Sequence, residues 1–313
     1  GEPDKNGQPR QPVMYQGYRF WLGEDFWSAG VEDLRGSELR HHEVQLRIWH
    51  PPVPEGRYVV GCDPAGGSDE KNDRHSVEVF RCYADKLVQV AEYADNIVET
   101  RQAAWVLAYL AGIYRNCLIN IELSGGYGKA VLVELNHLRD MLRSDIYASR
   151  KAGQNQDITD FLDNARYYLY RKPDTPTAAG YVLHFLTTSD NKRQIFNQYR
   201  DSHVNGHLIL NSKPLLEEMQ HIRQEGSEIG APGNSKDDRT FAACLANHAW
   251  IQHERTAMMM AGDTYASVTA REAGEVNPAS NVVDQIVHRY LKTVQVGTEE
   301  TPAQSWMAER GLL

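Results

Sequence analysis

The chain is poor in the features that mark secreted, membrane and zinc-binding proteins. Only four cysteines occur in 313 residues, Cys62, Cys82, Cys117 and Cys244. They are far apart, sit among apolar neighbours and form no C-x-x-C pair, which leaves neither a disulfide framework nor a zinc knuckle; buried thiols in a reducing compartment are expected. No stretch approaches the roughly 18 apolar residues of a membrane span, and the start, Gly1-Glu2-Pro3-Asp4-Lys5-Asn6-Gly7, lacks signal-peptide character. The histidines form no H-E-x-x-H motif, so His41-His42, His203, His207 and His221 are expected as surface or core residues. A P-loop is missing too. In Ser124-Gly125-Gly126-Tyr127-Gly128-Lys129-Ala130 the first glycine of G-x-x-x-x-G-K-[ST] falls on Leu123 and the last position on Ala130, which excludes ATP hydrolysis through that motif. There is no basic excess either: 33 Lys and Arg against 42 Asp and Glu give a net charge of -9. Part of the acidity lies in Glu272, Glu275, Glu299 and Glu300, while basic clusters occur at 143–151, 166–172 and Lys192-Arg193. Those clusters are candidate contacts to a nucleic-acid backbone or ordinary solvated faces.

Against these absences, three acidic settings stand out. Asp63 ends Val59-Val60-Gly61-Cys62-Asp63 ahead of Pro64-Ala65-Gly66-Gly67, and Glu122 ends Ile119-Asn120-Ile121-Glu122. Asp237-Asp238 opens Arg239-Thr240-Phe241-Ala242-Ala243-Cys244-Leu245-Ala246. The first two lie at the C-terminal ends of apolar, β-rich runs, and the third begins a run of helical periodicity. Strand ends and a helix N-terminus meet when the strands are sheet neighbours and the helix packs on their face. Converging carboxylates repel, so such a cluster calls for hard cations such as Mg²⁺ or Mn²⁺ with oxygen ligands.

The periodicity elsewhere predicts one α/β domain with appendages. Strands are expected at 57–63, 74–82 and 86–93, the last two joined through Tyr83-Ala84-Asp85, then a helix from Glu99 to Tyr114, a strand at 117–122 and a helix to about Leu142. Residues 149–180 read as an insertion or long loop. Its string Arg166-Tyr167-Tyr168-Leu169-Tyr170-Arg171-Lys172 fits either nucleic-acid contact or a half-buried strand at a sheet edge. A short strand at 181–186, a helix at 189–201, a strand at 206–211, a helix at 213–224 and a Gly-rich flexible loop at 226–236 follow. Residues 15–49 begin aromatic-rich and continue helix-like, and 1–12 are polar and expected to be disordered. In the tail, Val282, Val283, Ile286, Val287, Tyr290 and Leu291 share one helical face, a candidate docking helix over 280–293.

The order of these pieces resembles the nuclease domain of phage large terminase subunits, which has the RNase H-like fold shared with RuvC resolvases. The likeness rests on G-x-D-P-A-x-G at a strand end, a hairpin, a helix, a strand ending in an acid before Gly-rich sequence, and D-D before a small-residue helix. Trp49-His50-Pro51-Pro52, Thr187 to Arg193, Gly206 to Leu210 and Leu215 to Met219 fit as well, so it covers roughly Trp49 to His253. The resemblance implies an RNase H-like mixed central β-sheet flanked by helices, with an insertion (149–180) and a helical C-terminal tail. It divides the chain into an extension at 1–50, a remnant after a missing ATPase domain; a nuclease domain at 51–255; and a tail at 256–313. It further implies a metal-dependent DNA endonuclease that cuts concatemeric phage DNA during packaging in the cytoplasm of the infected host cell. Double-stranded DNA, the portal, the small terminase subunit and an ATPase domain are the implied partners, with no membrane. Asp63, Glu122 and Asp238 are then the catalytic residues and, with Asp237 as a further candidate, the ligands of two Mg²⁺ or Mn²⁺ ions. Phe241 stands where RuvC has a second aspartate, which leaves the third ligand open between Asp237 and Asp238. Lys129, Arg166, Arg171, Lys172, Lys192 and Arg193 are candidate DNA contacts, and Asp73 a candidate outer acid beside turn residues such as Asp69 and Glu70. Two other classes compete. An actin-like ATPase or sugar kinase shares the core but needs a second phosphate-binding turn in a duplicated half, and no internal repeat is present. A catalytically silent DNA- or partner-binding domain would keep the fold without the cleavage.

Overall fold

A computed structural model of the chain describes residues 15–21, 30–34, 44–66, 73–124, 126–142, 166–167, 169–171, 181–226, 228–233 and 235–274. The candidate docking helix at 280–293, Lys172, Asp69, Glu70, the basic cluster at 143–151 and the first twelve residues lie outside them. Among the described residues no helix is long and apolar enough to cross a membrane.

Among the described residues, a mixed nine-stranded sheet organises the fold. Its centre is β4 (Tyr58–Asp63), flanked by β5 (His75–Cys82) and then β6 (Leu87–Asp95) on one side, both pairings antiparallel. On the other side come β7 (Cys117–Ile121) and the short β8 (Arg166–Tyr167), both parallel pairings. The order β6-β5-β4-β7-β8 is that of an RNase H-like sheet. Beyond β6 the sheet is extended by β1 (Gln16–Trp21), β2 (Gly30–Leu34) and β3 (Leu46–Ile48), in the order β2-β1-β3. Helix-like character was expected in part of 15–49, yet its described parts form strands. Each is short, and the antiparallel register of β1 with both neighbours decides the conformation where local periodicity is weak. After β8 come β9 (Leu169–Arg171) and β10 (Tyr181–Leu183), which pair with each other, and β11 (Leu208–Ile209), parallel to the start of β6.

Strand parity divides the core into two layers. Tyr58, Val60 and Cys62 of β4 and Cys117, Ile119 and Ile121 of β7 join a cluster with α1 (Thr100–Ile113) and α2 (Tyr127–Leu142). Val59 and Leu118 point the other way, into a cluster with α3 (Ser189–Val204), α4 (Lys213–His221) and α5 (Asp238–Ala249). Because side chains alternate along a strand, Gly61 and Asp63 follow Val59, and Asn120 and Glu122 follow Leu118, to the α5 face. Every residue of α1 from Ala103 to Gly112 is buried, so this helix lies sandwiched between sheet and α2 with no polar stripe. The indole of Trp105 spends its one donor on Glu134 Oε1 at 2.8 Å.

Helix α5 lies closest to the sheet, and two features of sequence allow it. Its β4-facing surface is built of alanines, and the strand offers Gly61. A Cβ placed on Gly61 would lie 1.8 Å from the Ala242 carbonyl oxygen and 2.8 Å from the Ala246 nitrogen, both rigid backbone atoms. Asn120 adds a bond from its side-chain amide to the Leu245 carbonyl at 3.1 Å. A single π-helical turn, Trp250–Glu254, carries α5 into α6 (Arg255–Ala261), and α7 (Tyr265–Glu272) follows. His203 and His207 are four residues apart, but α3 ends at Val204, so they do not share a helix face.

Two further expectations change. The helix expected to reach 224 stops at His221. The end of that expected helix and the start of the stretch expected to be a flexible loop form the hairpin of β12 (Arg223–Glu225) and β13 (Glu228–Gly230), turning at Gly226 with φ 63. The left-handed backbone at that glycine favours the tight turn over the continued helix that the apolar spacing implied.

Substituting Gly61→Ala forces α5 off β4. We expect a loss of about 3 kcal/mol of unfolding free energy in urea titration; an unchanged midpoint would show that the helix is not seated on this strand.

Candidate metal centre

Asp63 and Glu122 end adjacent parallel strands. Cys62 pairs with Ile121 in the ladder, and the Glu122 amide donates to the Cys62 carbonyl at 2.9 Å, which sets the two carboxylates side by side on the face that α5 covers. The sequence after each is fixed by local bonds. The Ala65 amide donates to His75 Nδ1 at 3.1 Å, and the opposite ring nitrogen of His75 bonds the Val98 carbonyl at 2.9 Å. That pairing requires a neutral ring with its proton on Nε2, and burial of His75 pushes its pKa down accordingly. After Glu122, Gly128 at the start of α2 abuts the strand end, since a Cβ there would lie 1.7 Å from the Glu122 carbonyl oxygen. Gly128 thus serves close packing of α2 against the end of β7.

The third acid arrives on α5. Asp238 is buried in the first turn and accepts the Arg74 amide at 2.9 Å. Its helix is clamped by an ion network. Arg239 Nη1 lies 2.7 Å from Glu218 Oε1 on α4, its amide donates to Glu218 Oε2 at 2.9 Å, and its Nε lies 3.3 Å from Glu92 on β6. Arg47 of β3 reaches the same Glu92 oxygen at 2.8 Å, so the edge strands expected as an extension help to hold the helix that carries Asp238. Asp237, at the N-cap, pairs instead with Lys192 Nζ at 3.3 Å.

The electrostatics agree with convergence. Burial first, then Asp238, Glu122 and Asp237, push the Asp63 carboxyl well above the ordinary aspartate range, opposed by Lys192. Burial, with Asp73, Glu218 and Asp237 adding to it, raises Asp238 to about 6 against the Arg74 amide. Asp63 is enclosed on most sides yet keeps part of its surface open to solvent, which a ligand needs. Among the described residues, no three Asp, Glu, His or Cys side chains are drawn tightly enough together to cage an ion as they stand. The chemistry of the donors nonetheless suits a hard divalent cation. They are carboxylate oxygens on rigid element ends, mutually repelling, with the positive end of α5 pointing at them.

The remaining candidates are dispersed. Lys129 is exposed on the first turn of α2. Arg193 pairs with Asp190 at 2.9 Å on the surface of α3. Arg166 sits in β8 at the sheet edge, ion-paired with Glu254 at 2.7 Å and bonded to the Asn116 carbonyl at 2.9 Å, which is the end of β7 away from Glu122. Arg171 lies in β9, opposite Tyr181. Asp73 is bonded by Lys236 beside the Asp238 turn. Nothing in the sequence pointed to the roles of His75, Arg74, Arg239 and Glu218, because each acts through a partner outside its own element.

Adding Mn²⁺ should raise the thermal midpoint, and Asp63→Asn should abolish that rise while stabilising the metal-free protein by about 1–2 kcal/mol, since a repelling charge is removed. The folded pKa of Asp238 lies above its unfolded value, so its stabilising contribution is complete below about 3.8 and lost as pH rises through about 6. The Mn²⁺ increment should therefore be larger at pH 7.5 than at pH 5, as differential scanning fluorimetry would show; equal increments would place the metal elsewhere.

No protein-family model matches the chain, and no curated protein matches it. Similar solved structures include the large terminase nuclease from thermophilic phage G20c, 16% identical, covering 67% of this chain and 89% of that one at a TM-score of 0.40. The Thermus phage P74-26 large terminase nuclease domain is 16% identical over 64% of this chain and 84% of that one, with a TM-score of 0.39. The G20c nuclease also has structures with bound magnesium, zinc and cobalt. The human cytomegalovirus terminase nuclease domain is 13% identical, covering 65% of this chain and 86% of that one at a TM-score of 0.38.

Proposed function

We propose that the chain is a divalent-metal-dependent endodeoxyribonuclease that cuts concatemeric phage DNA during packaging. One observation carries it: Asp63 and Glu122 end neighbouring parallel strands of an RNase H-like sheet, and Asp238 opens the helix packed over them. Asp63, Glu122 and Asp238 are the residues that would hold the ions. Two such ions, when bound, supply an activated water and stabilise the leaving 3′ oxygen of an in-line displacement at phosphorus. The protein's own part is placement. The β4–β7 register fixes two carboxylates, the Gly61 contact and the Arg239 ion pairs fix the third, and the Arg74 amide orients Asp238. No nucleophilic side chain is required, and the products would carry 5′-phosphate and 3′-hydroxyl ends. Lys129 and Arg193 are the proposed contacts to double-stranded DNA near the site. Portal, small terminase subunit and an ATPase domain are the proposed assembly partners, in the cytoplasm of the infected host cell.

Supercoiled plasmid incubated with the chain and Mn²⁺ or Mg²⁺ should be nicked and then linearised. EDTA should stop the reaction, and Asp63→Ala or Glu122→Gln should slow it more than about a hundredfold. A folded parent chain that binds DNA but never cuts it, with any divalent metal, would make this a binding domain instead.

A further inference from the structure

Lys192 was a candidate for DNA contact, yet the structure turns it inward. Its ammonium lies 3.3 Å from Asp237 Oδ2 and over the faces of two aromatic rings, 4.9 Å from the centroid of Phe241 and 5.6 Å from that of Phe196. Those rings are themselves stacked at 5.8 Å and buried. Cation–π attraction on this platform fixes a side chain that otherwise loses rotamer freedom for little gain. Phe241 therefore replaces the second aspartate of the RuvC pattern with a seat for a lysine.

Asp237 is committed to the same arrangement. It occupies the N-cap of α5, where an aspartate ordinarily accepts an amide of the first turn, worth about 1 kcal/mol. Here its side chain makes no capping bond. The carboxylate turns to Lys192, and β13 closes over it, because a Cβ on Gly230 would lie 2.8 Å from Asp237 Oδ2 and 3.8 Å from Lys192 Nζ. A capped helix end has been forgone, and a glycine supplied, to seat one ion pair beside Asp63 and Asp238.

We propose that Lys192 is a built-in cation of the acidic centre, which engages Asp237 and so reserves metal binding for Asp63, Glu122 and Asp238. This rests on the metal-nuclease reading of the same site, and it decides between the two adjacent aspartates: Asp238 is the ligand, and Asp237 is the counter-ion of Lys192. Lys192 is a positioning residue, setting the charge and the number of free carboxylates that arriving ions meet.

Calorimetric titration of Mn²⁺ into the full chain tests it without reference to cleavage. Lys192→Met frees Asp237, so Mn²⁺ should bind about three- to tenfold more tightly. The double variant Lys192→Met/Asp237→Asn should return to within about twofold of the parent, and Lys192→Arg should resemble the parent. Asp237→Asn alone leaves the Lys192 charge unbalanced and should weaken Mn²⁺ about two- to threefold, whereas Asp238→Asn, which removes a ligand, should weaken it at least about tenfold. Plasmid nicking at saturating Mn²⁺ should fall about tenfold in Lys192→Met and recover in Lys192→Arg. Unchanged Mn²⁺ affinity in folded Lys192→Met, or equal weakening by Asp237→Asn and Asp238→Asn, would overturn the assignment. Calorimetry as expected in a chain that never nicks DNA would support the role of Lys192 while removing the nuclease reading.

Discussion

Everything at the candidate centre depends on mutual repulsion held in check by close packing. Asp63, Glu122 and Asp238 would separate if their backbones were free, and desolvation adds to the cost of keeping Asp63 and Asp238 charged. The fold denies them that freedom. Two are fixed by a parallel ladder, and the third rides on a helix that approaches β4 to backbone contact at Gly61 and Ala242. Without that contact the helix N-terminus would stand farther from the strand ends, and the centre would lose both its third carboxylate and the helix dipole that favours negative charge there.

The clamp around α5 extends the same logic outward. Arg239 bridges Glu218 and Glu92, while Arg47 ties Glu92 to the edge strands. A buried pair of this kind contributes little net stability, but losing one partner strands the other charge, so its effect is to allow a single position of the helix. Glu78 on the same face, bonded to Gln89 at 2.7 Å, has its carboxyl pushed well up by burial and by Glu92 and is better accommodated neutral.

Much of this was legible in the chain. The apolar runs ending in Asp63 and Glu122 gave strands β4 and β7 within a residue, while the common face of the two acids follows from the observed pairing of the strands. The alanine-rich run after Asp238 announced a helix able to sit close, and the hairpin through Tyr83-Ala84-Asp85 is present as expected. What escaped was set by distant partners. The β12–β13 hairpin was hidden because its short polar segments carry no alternation of their own, and Arg166 looked like a surface cation until Glu254, far along the chain, proved to be its partner. The Lys192–Asp237 pair could not be read because an Asp-Asp before a helix looks the same whether its first member caps, ligates or pairs.

The central claim is that Asp63, Glu122 and Asp238 hold divalent metal together. Anomalous diffraction from crystals soaked in Mn²⁺ tests it most directly. The account predicts manganese bound among Asp63, Glu122 and Asp238, with the Lys192–Asp237 pair intact. Well-ordered crystals with no peak at Asp63, or with manganese held by Asp237 alone, would contradict it.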